Sequence, residues 1–448
     1  MLVTACLTLL ILLVVVVSLF SARKRAPARL YEEIHKMVGE RYFDPSRMHD
    51  WQSWKNKFAD RIVSRTACLE RANEMIASLK DPFTEAIGPR RRAEVTWEAP
   101  EFVNLGVTIA TAYEDVDAEA CLESHAGDGY SCQYPTITSV GTDSPAEAAG
   151  IKAGDVITSI DGQSTAGKSR RQVQDLLRGL MGTSVVLGVE RGAEQRSVTL
   201  VRTFVKRFTA LAKMLDDGIG YLRIAHFAAG AEEAAAEQAA RLSNARAIIV
   251  DVRNNPGGNY YSGVRTASLF IKQGVVARTE ARLPGPLQTP TFSRMVLSLR
   301  NGLLFEEPAD EGSGYPQSHN SWTDGKKVSL CRFADKPVIV LVNENTASAA
   351  ETFAGALKDT AGATLLGVRT FGKGVGQKTF HVAYLIDLKI TTFKTFTPSG
   401  FWPGDAGEER HGITPDVVAP TQFTLFDFGT EQDEHLRRAI SLLKEQMR

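Results

Sequence analysis

The chain has 448 residues, 43% hydrophobic and 23% charged, which is ordinary for a folded protein and long enough for two or three domains with sizeable cores. Lys plus Arg equals Asp plus Glu at 52 each, so nothing in the overall balance argues for a nucleic-acid or other strongly charged partner, and none is expected. Five cysteines are too few for a disulfide framework.

The first twenty-two residues carry no charged side chain, and 7–20 are almost wholly apolar, enough with the flanks to span a bilayer. Residues 1–22 are expected to be a signal or membrane-anchor segment, giving membrane association. Arg23, Lys24 and Arg25 follow the apolar run, whereas a secretory signal carries its positive charge in front; taken literally, the positive-inside rule puts the body in the cytoplasm. Residues 23–99 read as a helical region: Leu30, Ile34, Met37 and Val38 share one face, and Trp51, Trp54, Phe58 and Ile62 continue the period. This region closes on Leu79-Lys-Asp-Pro-Phe83-Thr-Glu85.

Residues 100–204 hold short apolar runs separated by glycine turns. Within them Asp143-Ser-Pro-Ala-Glu-Ala-Ala-Gly-Ile-Lys-Ala-Gly-Asp155-Val-Ile-Thr-Ser-Ile-Asp-Gly162 resembles a PDZ domain. The resemblance implies that Leu105, Gly106 and Val107 form the loop receiving a terminal carboxylate, that 169–178 is the helix flanking the groove, and that a bound tail adds as a strand. Residues 113–133 interrupt two strands of this domain; Cys121 and Cys132 there either close a local bridge, in keeping with export, or stand as two thiols. Cys6 belongs to the apolar segment, and Cys68 and Cys331 read as small packed residues.

Residues 205–425 alternate apolar runs at 219–224, 247–252, 337–343 and 363–367 with helical segments such as 232–242. Buried strands separated by helices give an α/β core with parallel strands. The Pro-, Gly- and polar-rich stretch 283–333 is a lid, a partner surface or a plain exposed insertion. Residues 426–448 contain a closing amphipathic helix bearing Leu436, Ile440 and Leu443.

The chemistry centres on Ser348 in Asn345-Thr-Ala-Ser348-Ala-Ala-Glu351 and Lys373 in Phe371-Gly-Lys373-Gly-Val-Gly-Gln377. A serine hydroxyl needs a neighbour to take its proton. A lysine can do so only if its pKa falls from about 10.4 toward neutrality, and burial supplies that fall. Both segments, and the gap between them, resemble the carboxyl-terminal processing proteases, also called tail-specific proteases. The Leu79–Glu85 segment is similar to that family's Leu-x-Asp-Pro-His-Thr, with Phe83 in place of the frequent histidine. The resemblance implies a crotonase-like (ClpP/crotonase) α/β core over 205–425 with an inserted PDZ domain and a helical N-terminal region. It implies Ser348 as nucleophile, Lys373 as general base and Gln377 as the residue that holds the lysine amine. Alternation along an extended 372–377 places Lys373, Val375 and Gln377 on one face. Asp251-Val-Arg-Asn-Asn-Pro-Gly257-Gly258 is similar to the family's Asp-Leu-Arg-x-Asn-x-Gly-Gly, which implies the Gly258 N–H as one oxyanion donor; Ala349, opening the predicted helix, supplies the other.

Gly367-Val-Arg-Thr-Phe-Gly372-Lys373 also fits seven positions of a phosphate-binding loop, but Gly374 replaces the hydroxyl residue that would hold magnesium, and an alternating, strand-like run follows. Glu351 is explained by the helix dipole. His226 and His381 read as packed or edge residues, and His411 precedes Gly412-Ile-Thr-Pro-Asp416, similar to the family's Gly-Ile-x-Pro-Asp turn. No cofactor is expected, and no His, Cys and carboxylate cluster has metal-ligand spacing. The expectation is a serine endopeptidase without metal, acting on proteins or peptides with accessible C-termini. The resemblance places it in the periplasm or an equivalent extracytoplasmic compartment, with self-association left open. The alternative is a non-proteolytic PDZ-containing scaffold.

Overall fold

Val338–Val342 is five apolar residues, all buried, and a strand with no polar face has to be covered on both sides. In the computed structural model it lies inside a six-stranded sheet ordered Ala210–Met214, Ile219–Ile224, Ala247–Asp251, Val338–Val342, Thr364–Gly367, Val417–Val418. The first pair is antiparallel and the rest are parallel, with Ile249 opposite Tyr221 on one side and Ile339 on the other. Alternation sorts these strands between two layers. Ile248, Val250, Val340 and Val342 pack against helices Ala231–Ala240, Tyr260–Thr266 and Ala349–Ala361, while Ile249, Ile339 and Leu341 pack against Leu436, Ala439 and Leu443 of the closing helix Glu434–Gln446. The core is therefore mixed α/β. The structure describes residues 27–58, 61–88, 101–110, 134–140, 144–301, 303–309, 331–419, 429 and 432–448, apart from 153, 169, 207–208, 384–385, 406 and 408.

A second, antiparallel sheet is ordered Glu85–Ile87, Ile386–Phe396, Gln273–Arg282, Phe292–Arg300, Leu303–Pro308, with Val375–Ala383 also paired to Ile386–Phe396. Two of these strands, Phe292–Arg300 and Leu303–Pro308, come from the stretch 283–333 that reads as a lid, a partner surface or a plain exposed insertion. Their alternating Leu297 and Leu299 are buried in the main core, so this part is sheet. Residues 310–330 lie outside the described ones.

The N-terminal region is helical but broken into Pro27–Arg41, Trp51–Trp54 and Arg65–Ala77. Asp44 and Pro45 start a separate turn, and Ser64 caps the last helix by accepting from Ala67 N at 3.1 Å. Leu30, Ile34, Val38, Trp51 and Phe58 share one core with Val375, Ile386, Leu388 and Ile390, so this region covers the sheet that follows Lys373. Six antiparallel strands, Val107–Ala110, Thr136–Val140, Val156–Ile160, Gln163–Ser164, Ser184–Arg191 and Glu194–Val201, form a sheet that encloses a third core with Val173 of helix Arg170–Leu177. The expected insertion 113–133 with Cys121 and Cys132, and the apolar segment 1–22 with Cys6, lie outside the described residues. Among the described residues no helix is long and apolar enough to cross a membrane.

Candidate active site

Ser348 stands just past the strand Val338–Val342 and caps helix Ala349–Ala361, with φ 56° and ψ −121°. A non-glycine residue there is strained by about 1–3 kcal/mol and persists only where its surroundings over-determine it. They do so here. Ser348 N donates to Glu351 Oε2 at 2.9 Å, and Ala347 N to the Asn255 carbonyl at 2.9 Å. Asn343 and Asn345 both donate to Asn254 Oδ1, at 2.7 and 3.0 Å, while Thr346 Oγ1 donates to the Val252 carbonyl at 2.9 Å. The loop before Ser348 is thus laced to the loop after Ala247–Asp251.

Gly257 makes that approach sterically achievable. A Cβ built on it would lie 2.7 Å from Ala347 O and 2.8 Å from both Ala349 N and Ser348 Cβ, and its φ is +92°. Its own N–H is taken by Asn255 Oδ1 at 2.9 Å. Among the described residues neither the Gly258 N–H nor the Ala349 N–H donates to a protein acceptor. Two unsatisfied N–H groups, one flanking Gly257 and one opening a helix beside Ser348, can stabilise a developing oxyanion.

Lys373 is tied to the same carboxylate. Its N–H donates to Glu351 Oε2 at 2.7 Å, and Oε1 accepts from Gly372 N at 2.8 Å and Thr370 Oγ1 at 2.6 Å. Thr370 Oγ1 itself accepts from Ile413 N at 2.7 Å, so its proton goes to Glu351. Four donors converge, an arrangement that only an ionised carboxylate satisfies, even though burial pushes Glu351 above its ordinary range. On the far side Lys373 forms an isolated β-bridge with Asp405, Gly374 N donates to the Gly404 carbonyl at 2.6 Å, and Trp402 Nε1 donates to the Gly374 carbonyl at 2.8 Å.

The Lys373 amine lies 3.9 Å from the centroid of the Phe83 ring. Burial lowers its pKa from 10.5 to about 8, with the charge of Lys389 acting the same way and Asp81 and Glu351 opposing. No hydrogen bond joins Lys373 Nζ to Ser348 Oγ in this arrangement. Gln377 Nε2 donates to Thr391 Oγ1 at 3.2 Å, where pairing with the neighbouring strand slips by one residue. No helix follows Lys373; the next element is the strand Val375–Ala383, which removes the phosphate-loop reading.

Below the glycine loop sits a closed ion network. Arg253, fully buried, pairs with Asp251 at 2.6 Å and with Asp433 at 2.6 and 2.9 Å, and Tyr221 OH donates to Asp251 at 2.6 Å. Burial pushes Asp251 up, but the guanidinium more than offsets it and holds the carboxyl at about 2. Asp433 also caps the closing helix through Leu436 N at 3.0 Å, so the network fixes both the glycine loop and that helix.

In the domain with the six-stranded sheet opened by Val107–Ala110, Leu105 is fully buried and Ala146 N donates to its carbonyl at 3.0 Å. Gly106 takes φ +83°, and a Cβ built on it would lie only 2.1 Å from Ser144 Cβ. Val107 opens the strand Val107–Ala110, which is paired on one edge only among the described residues. Arg178 is exposed and pairs with Asp175.

The peptidase family S41 model matches residues 218–419, and a PDZ model matches 136–191. The chain is a serine peptidase that carries an S41 domain and a PDZ domain. Among relatives of this peptidase is a "Carboxyl-terminal-processing protease" of Picosynechococcus sp., 28% identical, the match covering 97% of this chain and 94% of the relative. Another of the same name, from Synechocystis sp., is 27% identical over 91% of this chain and 84% of its own. A solved structure titled "Photosystem II D1 C-terminal processing protease" shares the fold at TM-score 0.54 and 24% identity, covering 89% of this chain and 94% of that one. Sequence reasoning about the peptidase saw in Glu351 only a complement to the helix dipole, and it passed over Thr370 and Thr391. The signal for a larger role of Glu351 was present, since Ser at a cap with Glu three residues on is the capping-box pattern.

Proposed function

We propose that Ser348 is the nucleophile and Lys373 the general base of a carboxyl-terminal processing peptidase. The observation that carries this reading is the shared Glu351 carboxylate, which fastens the backbone of both residues around one oxygen. A largely desolvated amine near pKa 8 can be neutral at working pH. Its flexible four-carbon stem turns from Phe83 toward Ser348 Oγ, takes the proton as the hydroxyl attacks the peptide carbonyl, and returns it to the leaving amine. Gly258 and Ala349 N–H groups receive the oxyanion. A water deprotonated by the same amine then hydrolyses the acyl-enzyme. Gln377, now on Thr391, turns to hold the amine in its working position. None of these steps calls for a metal or nucleotide.

In this reading the core over 205–425 is crotonase-like, 1–22 is a signal or anchor, 23–99 the helical region, 100–204 the PDZ domain and 426–448 the closing helix. A protein's C-terminal tail adds to the edge of Val107–Ala110 that is unpaired among the described residues, with its carboxylate on the loop Leu105, Gly106, Val107. The body is extracytoplasmic, membrane-associated through its N-terminus. The test is incubation of the soluble body, and of its Ser348→Ala and Lys373→Ala forms, with unfolded proteins bearing different C-terminal residues, followed by mass spectrometry. Cleavage by the parent alone is expected; fragments from either substituted form at the parental rate would refute the assignment.

A further inference from the structure

The geometry points to Phe83 as the positioning residue of Lys373: its ring is the seat on which the protonated amine rests, and which the amine must leave to work. This rests on the assignment of Lys373 as base. The ring lies 3.9 Å from Nζ, within the range in which the negative face of an aromatic ring attracts a cation. The seat is built by the N-terminal region, far away in sequence. Asp81 accepts from Phe83 N at 2.9 Å and from Thr84 Oγ1 at 2.5 Å, fixing the turn. Thr84 Oγ1 in turn accepts from Thr391 N at 3.0 Å, and Thr391 Oγ1 is the group that Gln377 engages. One turn therefore places the ring over the lysine and also holds the partner of the glutamine.

The charges around Nζ come from three elements. Asp81 on the turn and Glu351 on the helix favour the ammonium, while Lys389 on the strand Ile386–Phe396 disfavours it and is itself paired with Glu85 at 3.8 Å. Asp405, opposite Lys373 along the bridge, gives its carboxylate to Arg47. With these charges left in place, the ring does two opposed things. As apolar bulk it excludes water and disfavours the charge; as a π face it favours the charge. Replacing it with an aliphatic group of similar bulk removes only the second effect.

The experiment follows kcat/KM for reduced, unfolded casein, and labelling of Ser348 by a fluorophosphonate, from pH 5 to 10 in the full chain. With Phe83→Leu the acid limb is expected to move to lower pH by about half to one unit, the loss of a cation–π contact. Phe83→Tyr, which keeps the face, leaves the limb where it is. A limb that stays put, or rises, in Phe83→Leu overturns the inference. Phe83→Met gives the same reading should the leucine form not fold. Lys373→Ala run alongside separates the two claims: labelling at the parental rate removes the base assignment itself, whereas lost labelling with an unmoved Phe83→Leu limb removes only the role of Phe83.

Discussion

Ser348 and Lys373, twenty-five residues apart in the chain, donate their backbone N–H groups to one oxygen atom, Oε2 of Glu351. A fully buried carboxylate with four donors, and no ion-pair partner among the described residues, is held by hydrogen bonds alone, and those bonds join the loop before helix Ala349–Ala361 to the loop that leads from the parallel sheet into the antiparallel one. Glu351→Gln supplies one acceptor oxygen and turns an NH2 donor on two of the four donors. It is expected to lose about 2–4 kcal/mol of stability and at least a hundredfold in kcat/KM. Urea denaturation and casein hydrolysis measure the two; near-parental values in both would show that the carboxylate is merely a helix cap.

The buried lysine gives opposite signs for stability and for activity as expressed at neutral pH. Its folded pKa, about 8, lies below its ordinary 10.5, so between those values the unfolded chain binds more protons and stability rises with pH. Below pH 8 the charged amine destabilises the fold by up to roughly 3 kcal/mol. Lys373→Met should therefore be more stable than the parent at pH 7, the advantage shrinking toward pH 10.5, while hydrolysis is abolished. In the parent, kcat/KM should fall about tenfold per unit below pH 8 and level off above it. Melting temperatures at pH 7 and 10, paired with a rate profile, test both halves.

Much of this site was legible because its chemistry sits in short local segments. Ser348, Lys373 and the glycines of 257–258 each announce themselves by residue type against a small-residue background, and the apolar runs 219–224, 247–252 and 337–343 announce a buried parallel sheet. What stayed hidden depends on contacts across long separations. Asp81, Phe83 and Thr84 meet Lys373 and Thr391 some three hundred residues on, and no local period records that. Arg253 and Asp433 likewise pair across 180 positions. Two strands within 283–333 stayed hidden for a different reason: the Pro and Gly content of the stretch marks loops, while Phe292–Arg300 and Leu303–Pro308 draw their order from pairing with Gln273–Arg282 and with each other.

Gly257→Ala isolates the approach of the glycine loop. The added methyl group meets backbone atoms of Ala347 and Ala349 at under 3 Å, and φ +92° is already hostile to alanine. The loop must retreat from Ser348, carrying the Gly258 N–H with it. A drop in kcat of about a hundredfold with KM changed far less is expected, because the loss falls on oxyanion stabilisation. A raised KM with kcat unchanged would place the effect on substrate binding instead.

Gly106→Ala tests whether the PDZ groove is needed for capture of a tail but not for the chemistry. The new Cβ would overlap Ser144, at 2.1 Å, and the Leu105 carbonyl that holds Ala146 N would have to shift. The PDZ domain has its own core, so the disturbance should stay within it. Fluorophosphonate labelling of Ser348 should persist, while binding of a fluorescent C-terminal peptide weakens at least tenfold and cleavage of tailed substrates falls in step. Since the strand Val107–Ala110, paired on one edge only among the described residues, follows directly from this turn, unchanged peptide affinity in the alanine form would mean that tails are received somewhere other than this groove.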